Sequence, residues 1–241
     1  KLGRSLEGIM LLRQLFDRET WTYTYLVADP ASRRAALIDT VDTQIDRDLK
    51  LIEELDLELT YVLDTHVHAD HVTASGAVRE RTGAQVVASK LGAPCSDFKV
   101  SHGDTLELGA LKIEVLATPG HTDDSVTFRI GDNLFTGDAL FVRGNGRTDF
   151  QNGDADELYH TITEVLFPLG DHLTIWPGHD YKGLTRSTIG EERLHNPRVA
   201  GRSREQFAEI MHNLGLPPPR LLDVAVPANQ ACGKTETRPN N

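Results

Sequence analysis

Apolar and polar positions along the chain change period repeatedly, and each change marks a predicted element. Leu11 to Phe16 and Tyr23 to Ala28 are short apolar runs around a polar turn at Asp17-Arg18-Glu19, which predicts two strands. Ala35 to Ile38 predicts a third strand, ending at Asp39. From Ile45 to Leu55 the period becomes helical, with Ile45, Leu49, Ile52 and Leu55 on one face. Leu59 to Leu63 predicts a strand, and Asp70 to Thr82 a helix closed by Gly83. Gln85 to Ala88 reads as a strand. Asp104–Gly109 and Leu111–Leu116 read as one hairpin; Ser125–Ile130 and Asn133–Phe135 read as another, turning at Gly131-Asp132. Asp156 to Leu166 is helical, with Leu158, Ile162 and Val165 in register, and Leu173 to Trp176 is a strand. Glu191–Leu194 and Ser203–Leu214 are helical, and a polar tail follows from Thr235. Helices that must cover two sheet faces imply a layered α/β sandwich.

No repeat, low-complexity block or long linker interrupts this order, so residues 10–234 read as one domain. Met10 reads as a natural beginning, with 1–9 as an added leader and 235–241 as a polar tail. The 241 residues suffice for a sizeable core. A net charge of −11 argues against nucleic acid as the main partner. No apolar stretch is long enough to span a bilayer. Cys95 and Cys232 are the two cysteines, without CxxC spacing, and read as free thiols in a reducing compartment. A bacterial cytoplasm is expected, since no Arg-rich, acid-poor leader is present.

The chemistry concentrates where predicted strands give way to loops. His66-Val67-His68-Ala69-Asp70-His71 packs four potential metal ligands into six residues after Tyr61-Val62-Leu63. Imidazole nitrogen and carboxylate oxygen suit divalent first-row metals. Three further candidates follow strands in the same way: His121 after Thr118-Pro119-Gly120, Asp138 after Thr136-Gly137, and His179 after Pro177-Gly178. Loops at strand ends are where a rigid scaffold builds sites. His102, His160, His172, His195 and His212 show no such context and read as ordinary surface or core residues. The spacing alone allows either one metal or two.

Together His66, His68, Asp70, His71, His121, Asp138 and His179 carry a resemblance to the metallo-β-lactamase superfamily. The resemblance covers nearly the whole chain and implies a four-layer αβ/βα sandwich with the site at one edge. The segment Arg143-Gly144-Asn145-Gly146-Arg147-Thr148-Asp149-Phe150-Gln151 resembles the persulfide dioxygenase branch, as do Pro177–Tyr181 and Glu191–Arg198. Many relatives carry Cys where this chain has Asn145, so no thiol role is carried over.

That branch implies one Fe(II) per chain held by His66, His121 and Asp138. His68, Asp70, His71, His179 and Asp180 would then orient those ligands. Two histidines and a carboxylate leave coordination positions open, as in non-haem iron oxygenases. The implied reaction oxidises glutathione persulfide with O₂ and water to sulfite and glutathione, in sulfide detoxification and sulfur metabolism. Arg147, Tyr181 and Arg198 match expected substrate-channel positions, with Arg143 and Lys182 as weaker candidates. An ion pair is the bland alternative for either Arg147 or Arg198; for Tyr181 it is packing beside the site with its hydroxyl satisfied by Asp180. The family further implies a homodimer, and a separate sulfurtransferase is a conceivable partner. The alternative is a dinuclear hydrolase of glutathione thioesters of the glyoxalase II type, with Asp138 bridging. A third reading, a non-catalytic sulfide-responsive binding protein, would ordinarily lack a ligand, and none is missing.

Overall fold

In the computed structural model, which describes residues 9–235, two six-stranded sheets pack face to face. The first runs β1 (Leu11–Phe16), β2 (Tyr23–Asp29), β3 (Arg34–Ile38), β4 (Glu58–Leu63), β5 (Gln85–Ser89) and β6 (Phe98–Val100), side by side in that order. The second holds β7 (Thr105–Leu108), β8 (Leu111–Ala117), β9 (Val126–Ile130), β10 (Asn133–Gly137), β11 (Thr174–Pro177) and β12 (Ser187–Thr188). Strands β3 to β6 pair in parallel, and so do β10 and β11. The helices are α1 (Ile45–Glu54), α2 (Ser75–Thr82), α3 (Ala155–His160), α4 (Ile189–His195), α5 (Arg204–His212) and α6 (Leu222–Gln230).

Strand alternation decides the layers. In β2, Tyr25 and Val27 face the other sheet, where they meet Phe128, Phe135 and Ile113. Leu26 and Ala28 point the opposite way and pack with Val62, Ile52 and Val78 under α1 and α2. Both faces are thus buried, which is why β2 reads as a continuous apolar run. The outer face of the second sheet supplies Leu134 and Ile175, covered by Leu158, Ile162, Phe207 and Met211 of the other helical layer. The expected αβ/βα sandwich is the observed one.

The boundaries differ where tertiary contacts override local pattern. Helix α2 begins at Ser75, not at Asp70, because residues 70–74 are held open by side-chain contacts to the site. Strands β6 and β12 have three and two residues, too few to carry a period. Helix α6 was not expected: Pro227 lies inside it and breaks the helical reading. Of the expected leader at 1–9 and tail at 235–241, residues 1–8 and 236–241 lie outside the described residues. Among the described residues no helix is long and apolar enough to cross a membrane.

The reading of two free thiols is overturned. Cys95 and Cys232 form a disulfide across 137 residues, their Cα atoms 5.9 Å apart. Cys232 is buried. The cysteines approach only because α6 returns to the loop after β5, a juxtaposition invisible to spacing. The compartment expected from free thiols loses that support.

Phe128 is fully buried between the sheets. Replacing it with Ala is expected to lower unfolding free energy by about 3–5 kcal/mol in urea titration, with the fold retained.

Candidate metal centre

The site forms at the ends of β4, β8, β10 and β11, where loops carrying the candidate ligands converge. His66, His121 and Asp138 each direct one donor atom to a common place, all within 4.8 Å of one another. The Nε2 of His121 lies 3.5 Å from Asp138 Oδ2, and His179 Nε2 lies 3.5 Å from Asp138 Oδ1. A second donor group is formed by His68, Asp70 and His71. All seven sequence candidates are therefore gathered together.

Outer contacts choose which nitrogen faces inward. His121 Nδ1 donates to the Arg147 carbonyl at 2.6 Å, which leaves Nε2 for the centre. His66 Nδ1 meets Thr65 Oγ1 at 3.0 Å, with the same consequence. His179 Nδ1 donates to the Trp21 carbonyl at 3.2 Å, and His71 Nδ1 contacts Asp70 Oδ2 at 2.9 Å. Trp21 adopts a φ of 61°, a strained conformation for a bulky residue, and this aims its carbonyl at His179.

Asp39 anchors the base of the site. One carboxylate oxygen accepts from the Thr65 N–H at 2.8 Å and lies 3.1 Å from His68 Nε2; the other accepts from Thr65 Oγ1 at 2.9 Å. Burial alone would strip charge from His68, but Asp39 overrides it and pushes the imidazole up to about 10. His66 moves the other way. Burial and the neighbouring His68 and His121 hold it well below the usual imidazole range, so it stays neutral. Burial opposes the charge on Asp70, yet His71 and His179 keep its carboxyl far below the ordinary value.

The donor set fits a divalent cation. Asp138 Oδ1, His68 Nδ1 and His71 Nε2 are buried without a hydrogen-bond partner. Groups of this kind ordinarily find partners; a cation in the donor group of His66, His121 and Asp138, or in that of His68, Asp70 and His71, would supply them. Neutral imidazole and carboxylate are also the appropriate ligand chemistry.

The family description "Metallo-beta-lactamase superfamily" matches residues 21–94 and 97–179. The chain is 48% identical over 227 residues to the proteins named persulfide dioxygenase ETHE1 of Mus musculus and Homo sapiens, covering 93% of this chain and 89% of theirs. The chain belongs to the metallo-β-lactamase superfamily, in its persulfide dioxygenase branch. A solved structure titled ETHE1, from Myxococcus xanthus, is 62% identical, covers 93% of this chain and 100% of its own, and superposes with a TM-score of 0.92. The hydroxyacylglutathione hydrolase GloC of Haemophilus influenzae is 33% identical over 71% of this chain and 90% of its own. The scaffold is thus shared with hydrolases, while the higher identity, 48%, is to the dioxygenases.

In this persulfide dioxygenase branch chain, a cleft of about 490 Å³ opens above the centre. His121, Asp138 and His179 form its floor, and Tyr181, Lys182 and Arg198 are among its walls. Arg198 is half-buried and donates to the Asn145 carbonyl at 2.7 Å. Tyr181 stacks on His179 with ring centroids 6.1 Å apart. Its hydroxyl is not held by Asp180, the contact that the bland alternative for Tyr181 required. Asp180 Oδ2 instead accepts the N–H groups of Lys182 and Leu184.

Arg147 and Arg143 also line the cleft, each with its guanidinium paired to acidic side chains. The Arg147 guanidinium forks onto Asp149 at 2.6 and 2.7 Å and donates to the Pro217 carbonyl at 2.6 Å. Its donors are occupied by the cleft wall, while its carbonyl orients His121. Arg143 pairs with Glu191 and Glu192. Gln151 donates to the Val67 carbonyl at 2.6 Å, joining the same segment to the histidine loop. Asn145 is buried, its amide on the Gly146 carbonyl and Met211 sulfur. The five histidines set aside by sequence are all exposed.

Sequence reasoning missed Trp21, Thr22 and Asn229 as site neighbours, since no local pattern marks them. Asp39 was visible only as a strand end.

Gly146 is pressed against the site: an added Cβ would lie 2.7 Å from both the Asp138 carbonyl and His121 Nδ1. Gly146→Ala is expected to weaken metal binding about 10–100-fold while far-ultraviolet dichroism stays unchanged. Equilibrium dialysis with metal analysis checks this.

Proposed function

We propose that this protein is a mononuclear non-haem iron persulfide dioxygenase that acts on glutathione persulfide. The observation carrying this reading is the 48% identity to persulfide dioxygenases across 93% of the chain. The His66, His121 and Asp138 donor set beneath an open cleft is consistent with it. The net reaction consumes one persulfide, one O₂ and one water. It yields one thiol, one sulfite and two protons, so the terminal sulfur is oxidised and dioxygen reduced.

Ferrous iron held by His66, His121 and Asp138 would supply the one-electron reactivity toward O₂ that closed-shell side chains lack. The chain's own residues do the rest. Arg198 and Lys182 place positive charge on a cleft wall, where the carboxylates of a glutathionyl group can be received. Tyr181 offers an aromatic face and a hydroxyl at the mouth. His179 and Asp70, 3.4 Å apart, stand beside the centre and can relay protons as water is consumed. His68, 2% exposed and paired with Asp39, keeps its ring in one orientation.

The dinuclear thioesterase reading retains one specific support, the second donor group of His68, Asp70 and His71. Metal stoichiometry separates the two. Ferrous-loaded protein is expected to hold about one iron per chain and to consume oxygen only when glutathione persulfide is present. His121→Ala should reduce uptake to background in an oxygen-electrode assay. Two tightly held metals with hydrolysis of S-lactoylglutathione, and no oxygen uptake, would replace this reading by the hydrolase.

A further inference from the structure

The histidine loop rests on a part of the chain that no sequence motif connects to it. Asn229 lies near the end of α6 and is buried against residues 68–73. Its Nδ2 donates to the His68 carbonyl at 2.9 Å and to the His71 carbonyl at 2.8 Å. Its Oδ1 accepts from the Thr73 N–H at 2.8 Å. Three residues on, the Cys232 carbonyl accepts from the Gly76 N–H at 2.9 Å. The fit is close: an added Cβ on Gly76 would lie 2.4 Å from the Cys232 carbonyl oxygen.

Little else holds α6 in place. Its buried residues are Ala225, Ala228 and Asn229, while Val224 is 53% exposed. Two alanine methyls and the half-buried Val226, which packs against Val67, Ala88 and Ala93, bury little apolar surface with which to seat a proline-containing helix. The covalent link is the disulfide from Cys232 to Cys95. Cys95 is only half-buried, so a small reductant can reach it.

We infer that Asn229 is a positioning residue for the metal-binding loop and that the Cys95–Cys232 disulfide is a redox-sensitive latch keeping it seated. This rests on the reading that the histidine loop holds a metal. The latch opens by thiol–disulfide exchange. A small thiolate attacks Cys95 Sγ, the Cys95–Cys232 bond breaks, and Cys232 leaves as thiolate. A second small thiol then releases Cys95. The protein gains two electrons and two protons as two thiols, and the two small thiols become one disulfide. With the latch open, α6 separates from the loop more often, and the His68 and His71 carbonyls and the Thr73 N–H lose their partner.

Amide hydrogen exchange on metal-free protein tests the latch directly. Reduction by a phosphine is expected to speed exchange at Thr73 and Gly76 about tenfold or more, with the β5 amides changed less than twofold. Cys95→Ser should show the fast rates with or without reductant. Ferrous ion loaded anaerobically should pass to a coloured chelator about tenfold faster from reduced protein and from Cys95→Ser. Asn229→Asp, with the disulfide intact, separates positioning from general support. It keeps an acceptor for Thr73 and loses both donors, so Thr73 should remain protected while iron release quickens. Free thiols in protein purified without reductant would overturn the inference. So would Thr73 and Gly76 rates that shift less than twofold on reduction, or an Asn229→Asp release rate equal to wild type. If no ferrous ion binds, the iron reading fails, and unchanged exchange on reduction still refutes the latch independently.

Discussion

The site depends on one carboxylate at the end of one strand. Asp39 closes β3 with a φ of 54°, a left-handed conformation that acidic residues tolerate better than most. Its N–H donates to the Leu63 carbonyl, and its carboxylate holds the backbone and hydroxyl of Thr65 and the ring of His68. The ends of β3 and β4 are thereby locked to each other as the histidine loop begins. The Asp39–His68 pair is buried on both sides, at 2% exposure each. Such a pair adds little net stability, yet leaving one member alone costs about 3–5 kcal/mol. Its contribution is to fix an orientation rather than to hold the fold together.

Around that anchor, the site is assembled largely by main-chain groups. Carbonyls of Arg147 and Trp21 select the inward nitrogen of His121 and His179. Carbonyls of His68 and His71 are in turn held by Asn229. The Asp124 carboxylate accepts from the Val67 N–H at 2.8 Å, steadying the loop from another side. The backbone positions the imidazoles, and the imidazoles then have little freedom left to lose on meeting a cation.

The RGNGRTDFQ segment lines the cleft and is tied into the fold by its side chains. Its arginines are tied to Glu191, Glu192 and Asp149, and its glutamine to Val67. Gly146 permits the close approach to His121 that a side chain would prevent. A segment so tightly tied can distinguish one branch of a fold family from another while the ligand set is shared. Arg143, Arg147, Lys182 and Arg198 all line the cleft, the first two paired with acidic side chains.

Periodicity and ligand clustering alone determined most of the strands, the layered architecture and the seven metal-site candidates. The continuous apolar run of β2 and the helical spacing in α1 are local properties, and a dense HxHxDH run after a strand is itself a local pattern. Tertiary structure decided everything that depends on distant chain segments meeting. The Cys95–Cys232 bond, the seating of Asn229 and the Trp21 carbonyl on His179 each join residues more than 130 positions apart. It also decided that the Arg147 guanidinium pairs with Asp149, since a guanidinium's partner is set by the nearest acceptor in space. Helix α6 belongs to the same class. Its two buried alanines and internal proline make no amphipathic stripe, so only the surface it lands on explains it.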